Sequence, residues 1–260
     1  MFGRRLNLHF NFSAISNRTL FGKLLRLCLK FVPDGTIVPI LQGKLRGKKW
    51  IVGSSNHGCW LGSYEYEKQR LFCQFVSEGD IVFDIGAHVG FYTLLASVLV
   101  GERGRVFAFE PLPENVKMLQ THLRINKVNN VTVLELAVTD RDGVSFFELG
   151  ESSSTGRLSE RGHLKVQVSS IDSLVQEAVV PAPSLIKMDI EGAEFEALQG
   201  ASGILRERRP VIFLATHGRN THEACCHFLK SLGYLLRPIR KDETIEETDE
   251  IVAFFPEKSN

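Results

Sequence analysis

The sequence predicts an α/β fold built on a mostly parallel sheet, and three observations carry that reading. Short apolar runs such as Ile81-Val82-Phe83, Val106-Phe107-Ala108-Phe109 and Leu185-Ile186-Lys187-Met188 alternate with segments of helical period. The first run ends in Asp84-Ile85-Gly86-Ala87-His88-Val89-Gly90 and a second apolar stretch, a strand–turn–helix pattern that turns free backbone N–H groups toward a ligand. The next runs end in Glu110 and Asp189, acids at strand tips.

Taken in order, the chain begins with Arg4 and Arg5, and Asn7, His9, Asn11 and Ser13 interrupt anything resembling an apolar signal region. Residues 19–32 have helical spacing, with Leu20, Phe21, Leu24, Leu25, Leu27, Cys28 and Phe31 on one face and Lys23, Arg26 and Lys30 on the other. Such a helix caps its own domain or lies against a membrane surface or a partner. Pro33-Asp34-Gly35 breaks the chain, and residues 36–54 alternate around Gly43, Gly47 and Gly53 as a small hairpin does. Residues 1–60 are thus expected to be a helical and hairpin extension, and residues 61–260 the main domain. In the main domain, 66–76 reads as helix, 81–83 as strand, 91–99 as helix, 106–109 as strand, 113–126 as helix and 131–136 as strand, closing in Ala137-Val138. Strand–helix–strand units of this length imply parallel pairing with right-handed crossovers. Residues 144–147 and 163–168 then read as a hairpin inserted at the ligand edge, flanking a loop with Ser152, Ser153, Ser154 and Thr155 that either closes over substrate or is simply solvated. Helices at 171–179, 193–205 and 222–232, buried strands at 185–188 and 211–214, and a final antiparallel pair at 234–238 and 251–255 complete the pattern.

The glycine spacing narrows the ligand. A dinucleotide site uses G-x-G-x-x-G to admit a pyrophosphate. Here an aspartate stands at the strand end and the spacing is Gly86-x-x-x-Gly90. Asp84 would repel a pyrophosphate but suits an ammonium group, and Glu110, twenty residues beyond Gly90, suits ribose hydroxyls. An amino acid joined to a ribose without pyrophosphate is S-adenosylmethionine. The plain alternative is that Asp84 caps the following helix and Glu110 is an ordinary acid.

Bulk properties exclude other classes. The content is 43% hydrophobic and 23% charged, that of an ordinary globular protein, and the net charge of +1 lacks the basic surface a nucleic-acid partner needs. Five cysteines, Cys28, Cys59, Cys73, Cys225 and Cys226, make no C-x-x-C pair and no disulfide framework, which points to a reducing compartment and a cytoplasmic protein. No apolar run approaches the ~20 residues of a transmembrane segment. Oligomeric state has no sequence signal here.

Five segments together resemble the FkbM family of S-adenosylmethionine-dependent methyltransferases: Gly62-Ser63-Tyr64-Glu65; the run from Gly79 through Asp84 to Thr93; Phe109-Glu110-Pro111 with Asn115; Ala137-Val138 with Asp140 and Gly143; and Ile186-Lys187-Met188-Asp189-Ile190-Glu191-Gly192-Ala193-Glu194. The resemblance implies a Rossmann-like class I methyltransferase fold, with a mostly parallel seven-stranded sheet and an antiparallel terminal strand. It further implies that Asp84, Gly86, Ala87 and Gly90 cradle the methionine part, with Glu65 also at the cofactor. Glu110 would hold the ribose with Asn115 nearby, and Ala137-Val138 would line the adenine slot. The family's usual glutamate after the strand at 211–214 is Ala215 here, followed by Thr216 and His217.

The implied chemistry is methyl transfer to a hydroxyl of a sugar, glycan or small natural product, which needs alignment and a route for the hydroxyl proton. Asp189 or His217 would serve as general base. Alternatively, Asp189 and Glu191 would coordinate Mg²⁺; for Glu191 a helix-capping role is the plain alternative. His88 would fill the glycine turn and touch the cofactor, and His57 and Trp60 would line the pocket. A nucleic-acid amine substrate is disfavoured by the absence of an Asn-Pro-Pro-Tyr-like motif. A scaffold that binds the cofactor without chemistry, and a nicotinamide oxidoreductase, are the competing classes.

Overall fold

Strands buried on both faces need apolar side chains in both directions, and the runs read from the sequence meet that demand. The structure, a computed structural model, describes residues 31–148 and 162–256 together with positions 11, 19, 27, 29, 157 and 158. The basic amphipathic helix expected at 19–32, apart from these few positions, and the Ser152–Thr155 loop lie outside the described residues.

Numbered over the described residues, the chain runs β1 (Ile37–Pro39), β2 (Lys49–Ile51), α1 (His57–Leu61), α2 (Tyr66–Phe75), β3 (Ile81–Ile85), α3 (Phe91–Val100), β4 (Arg105–Phe109), α4 (Pro113–Ile125), β5 (Val131–Leu134), β6 (Ala137–Val138), β7 (Gly143–Glu148), β8 (Arg157–Leu158) and β9 (Leu164–Ser169). It continues α5 (Ile171–Gln176), β10 (Leu185–Met188), α6 (Glu194–Gln199), α7 (Ser202–Glu207), β11 (Val211–Ala215), α8 (Arg219–Ser231), β12 (Leu235–Pro238) and β13 (Glu250–Phe254). The main sheet has seven strands in the order β12-β13-β11-β10-β3-β4-β5. Only β13 runs antiparallel to its neighbours β11 and β12.

Period two sorts the strand residues between two cores. Phe83, Ile85, Ile186, Met188, Ile212 and Leu214 pack with Ala197, Leu198, Leu205 and Leu229 on one face. Val82, Leu185, Phe213 and Val252 pack on the other face with Phe72, Leu94, Leu95 and Trp50 of the β1–β2 hairpin. By the same alternation Asp84, Lys187 and Ala215 belong to this second face, in register with one another's strands.

Three elements differ from expectation. The strand expected at 131–136 ends at Leu134, and Ala137-Val138 pairs instead with β9 in a separate four-stranded sheet, β6-β9-β7-β8. The hairpin of β7 and β9 therefore belongs to a second sheet. The helix expected at 193–205 is split at Gly200-Ala201, because the Asp172 carboxylate accepts the Gly203 and Ile204 amides at 2.7 and 2.9 Å and starts a new helix there. The helix expected at 171–179 stops at Gln176, before Ala178 takes a left-handed backbone.

One side chain ties the hairpin to the glycine turn. His122, fully buried on α4 and stacked on Trp50 at 3.9 Å, places Nδ1 2.8 Å from the Val89 carbonyl and accepts the Ile51 amide at Nε2 across 3.2 Å. Burial lowers its pKa, against the pull of the Val89 bond. The unfolded chain therefore takes up this proton first, and stability falls as pH drops through the ordinary histidine value of ~6.5. Chemical unfolding at pH 7.5 and 5.5 should show this loss. His122→Phe, which removes the ring's hydrogen bonds with Val89, Ile51 and Ser54, should cost about 1–3 kcal/mol at pH 7.5 and reduce the pH dependence.

Candidate active site

The order of strands decides where a site can form. The chain moves outward from β3 to β5 and then returns to place β10 on the other side of β3, so a crevice opens beyond their carboxyl ends. A cleft of about 480 Å³ lies there, lined by Glu65, Gly86, Ala87, Glu110, Ala137, Asp189, Glu191 and His217 among others. That size suits a small organic ligand. Asp84, Gly90 and Asn115 stand behind this wall and do not line it. His57 and Trp60 do not line it either; the Trp60 indole donates to His57 Nδ1 at 3.2 Å, and Ser55, Cys59 and Tyr64 face the cleft from that segment.

The turn after β3 tolerates no side chain at Gly86. Its φ is +76°, and a Cβ there would stand 1.9 Å from the Asp189 carbonyl oxygen. The Gly86 and Ala87 amides both donate to the Phe109 carbonyl at 3.0 Å, which fixes the turn against β4. Three non-glycine residues with left-handed backbone, Glu65, His88 and Glu191, all line the cleft. Such conformations are costly and persist only where the surroundings impose them.

Lys187 joins the strands beneath the turn. Only 5% exposed, it donates to the Gly86 carbonyl at 3.0 Å and stands 3.4 Å from Asp84 Oδ1 and 3.9 Å from Asp189 Oδ2. Asp84, 1% exposed, also accepts the Thr93 hydroxyl at 2.6 Å. Its charge is thus spent inside the wall, holding up the turn from below. A second buried lysine, Lys68 on α2, pairs with Glu65 at 2.8 Å and with Glu250, the cross-strand partner of Ala215. Burial opposes its charge, but the two glutamates outweigh it and hold the ammonium above the usual lysine value.

On the other wall, Glu110 accepts the Leu112 amide and Asn115 Nδ2 at Oε1, each at 3.1 Å, and the His88 amide at Oε2 across 2.8 Å. Burial raises its pKa, and these donors pull it back. Asn115 therefore orients Glu110. Ala137 and Val138 supply the apolar floor beyond it.

At the open end His217 meets three carboxylates. Its Nδ1 lies 2.7 Å from Glu194 Oε1, and its Nε2 lies 3.7 Å from Asp189 Oδ1 and 3.5 Å from Glu191 Oε2. The hydrogen bond to Glu194 raises its pKa to about 9 against the opposing effect of burial. Burial would raise Asp189, but Lys187, Lys68 and His217 bring it below the usual carboxylate value. Glu191 is raised, chiefly by burial. At neutral pH the cluster is an imidazolium among carboxylates. Mg²⁺ needs oxygen ligands at about 2.1 Å, and the charged Nε2 stands where a cation shared by Asp189 and Glu191 would go. These residues do not fit a magnesium site, and among the described residues no three His, Cys, Asp or Glu side chains are grouped to hold a metal.

The profile of the Methyltransferase FkbM domain matches residues 84–256. The chain belongs to the FkbM methyltransferase family. It has the class I fold, that of enzymes that use S-adenosylmethionine. The chain is 29% identical over 150 residues to the hexuronic acid methyltransferase AglP of Haloferax volcanii, which covers 57% of this chain and 61% of that protein. It is 32% identical over 66 residues to a protein-L-isoaspartate O-methyltransferase of Fervidobacterium nodosum, 25% of this chain and 33% of that one. The chain thus spans less than two thirds of these relatives. The crystal structure of the FkbM methyltransferase from Methylobacillus flagellatus KT shares the fold, with a TM-score of 0.50 at 19% identity over 77% of this chain and 56% of that one.

The cleft fits this cofactor: the turn at Gly86 leaves side-chain space empty beside the Asp189 carbonyl, and a buried carboxylate, Glu110, faces it from the next strand. Site members absent from the sequence reading are Lys187, Lys68, Glu250 and Glu194. The signal for Lys187 and Glu194 was present, since both stand in the Lys-x-Asp-x-Glu-Gly-Ala-Glu run. Gly86→Ala should abolish calorimetric binding of S-adenosylhomocysteine and lower unfolding stability by more than about 1 kcal/mol.

Proposed function

We propose that this methyltransferase transfers a methyl group to a hydroxyl oxygen of a sugar, glycan or small natural product. The observation that carries the reading is the Asp189–Glu191–His217 cluster at the open end of the cleft, where a hydroxyl reaches both a carboxylate and an imidazole. The name of the AglP relative, a hexuronic acid methyltransferase, supports a carbohydrate acceptor. The net charge of +1 favours a small acceptor over a nucleic acid. The free cysteines among the described residues, Cys59, Cys73, Cys225 and Cys226, support a cytoplasmic setting. The division at residue 60 belongs to the same proposal, with the preceding hairpin closing the turn side through Trp50 and His122.

In this reading Gly86, Ala87 and Glu110 hold the cofactor, and Asp84, Gly90 and Asn115 hold those residues in turn. Glu65 joins them at the cofactor, paired with Lys68. Bound S-adenosylmethionine supplies a methyl group on a sulfonium sulfur, which leaves as a neutral thioether. The protein's part is to aim the hydroxyl oxygen, exclude competing water and take the hydroxyl proton into the Asp189–His217 cluster.

Transfer of labelled methyl from S-adenosylmethionine to a panel of neutral sugars, uronic acids and phenols tests the reading. Asp189→Ala should lower turnover about 100-fold or more while leaving S-adenosylhomocysteine affinity unchanged. Full activity in that variant, or methylation confined to nitrogen or carbon acceptors, would overturn it.

A further inference from the structure

Glu194 is completely buried at the first position of α6, a helix of six residues. Its Oε1 accepts the Gly192 amide at 3.0 Å and meets His217 Nδ1 at 2.7 Å, whereas Oε2 has no hydrogen-bond partner among the described residues. A buried carboxylate oxygen left without a donor is costly. Helix α6 does not need it, because Glu196 in the same turn already favours the helix start. Beyond accepting the Gly192 amide, Glu194 fixes one imidazole. The other nitrogen of that ring, Nε2, is thereby turned to the cleft beside Asp189 and Glu191.

We propose that Glu194 is the positioning residue of the active site, holding the His217 proton on Nδ1 and presenting Nε2 as the atom that takes the acceptor's hydroxyl proton. The proposal rests on the hydroxyl-transfer reading above. As the oxygen–methyl bond forms and the sulfur–methyl bond breaks, the hydroxyl proton passes to neutral Nε2, so His217 ends as imidazolium and later returns the proton to solvent. A carboxylate on Nδ1 both locks the tautomer with Nε2 unprotonated and stabilises the cation that forms. The charged groups facing the ring are Glu194 from α6, Asp189 at the end of β10 and Glu191 in the turn that follows. Lys187 reaches the ring's surroundings through Asp189. Since these carboxylates hold the resting ring protonated, turnover should rise with pH through the alkaline range.

Glu194→Gln keeps the shape and an oxygen for the Gly192 amide while removing the charge. The expected results are a turnover loss of about 100-fold or more, unchanged S-adenosylhomocysteine affinity, and a His217 titration midpoint, read by NMR on the free protein, lower by about one pH unit or more. The alkaline limb of the kcat–pH profile should move the same way. In a His217→Asn background the Glu194→Gln change should have no further effect on turnover. A merely structural Glu194 would lower the melting temperature and leave the His217 midpoint in place; that result, or additive losses in the double variant, overturns the proposal. If the wild-type protein methylates no hydroxyl acceptor, the hydroxyl reading falls, and the NMR titration still decides whether Glu194 controls His217.

Discussion

The site depends on one buried cation. Lys187 stands between the central strands and, among the described residues, reaches Asp84, the Gly86 carbonyl and Asp189 together. Without it, two carboxylates would face each other across adjacent strands in a low-dielectric interior, where unpaired charge is strongly destabilising. With it, the ends of β3 and β10 are drawn to one point, and the glycine turn passes over that point within van der Waals reach of the Asp189 backbone. The cleft is the space left above this joint.

The rest of the polar machinery follows the same face of the sheet. Asp84, Lys187 and Ala215 stand near the carboxyl ends of their strands, and Glu250, at the amino end of the antiparallel β13, stands opposite Ala215 on the same side, packed by α2 and α3. Ala215 carries no charge, and its cross-strand partner Glu250 reaches the buried Lys68. Tyr92, with its ring centre 5.7 Å from both lysine ammonium groups, separates and screens the two cations from the apolar core. Charge at this site is therefore paired almost throughout, and the cleft presents Glu110 on one side and the His217 cluster on the other.

Local signals showed the elements and the cofactor, while long-range pairing decided the roles. The run Ile81 to Gly90 was legible because a strand, its terminal acid and two glycines lie within ten residues. The parallel sheet was legible from alternation, and only its secondary hairpin sheet and the break at Gly200 needed tertiary contacts, since Asp172 caps α7 from 31 residues away. Asp84 was expected at the cofactor, and the structure adds its pairing with Lys187, 103 residues later, which nothing in the local pattern signals. Glu194 and His217 are likewise neighbours only after β10 and β11 pair. The strained backbones of Glu65 and Glu191 had no residue-type signature, because neither is glycine, asparagine, aspartate or histidine.

The most direct test of the account is a calorimetric titration of S-adenosylhomocysteine into the wild-type protein and into Lys187→Met, which keeps the aliphatic bulk and removes the charge. The account predicts saturable binding to the wild type and its loss in the variant, with far-ultraviolet circular dichroism showing that the sheet survives. Equal affinity in the two proteins would show that the turn holds its shape without Lys187, and would contradict the claim that this one cation organises the site.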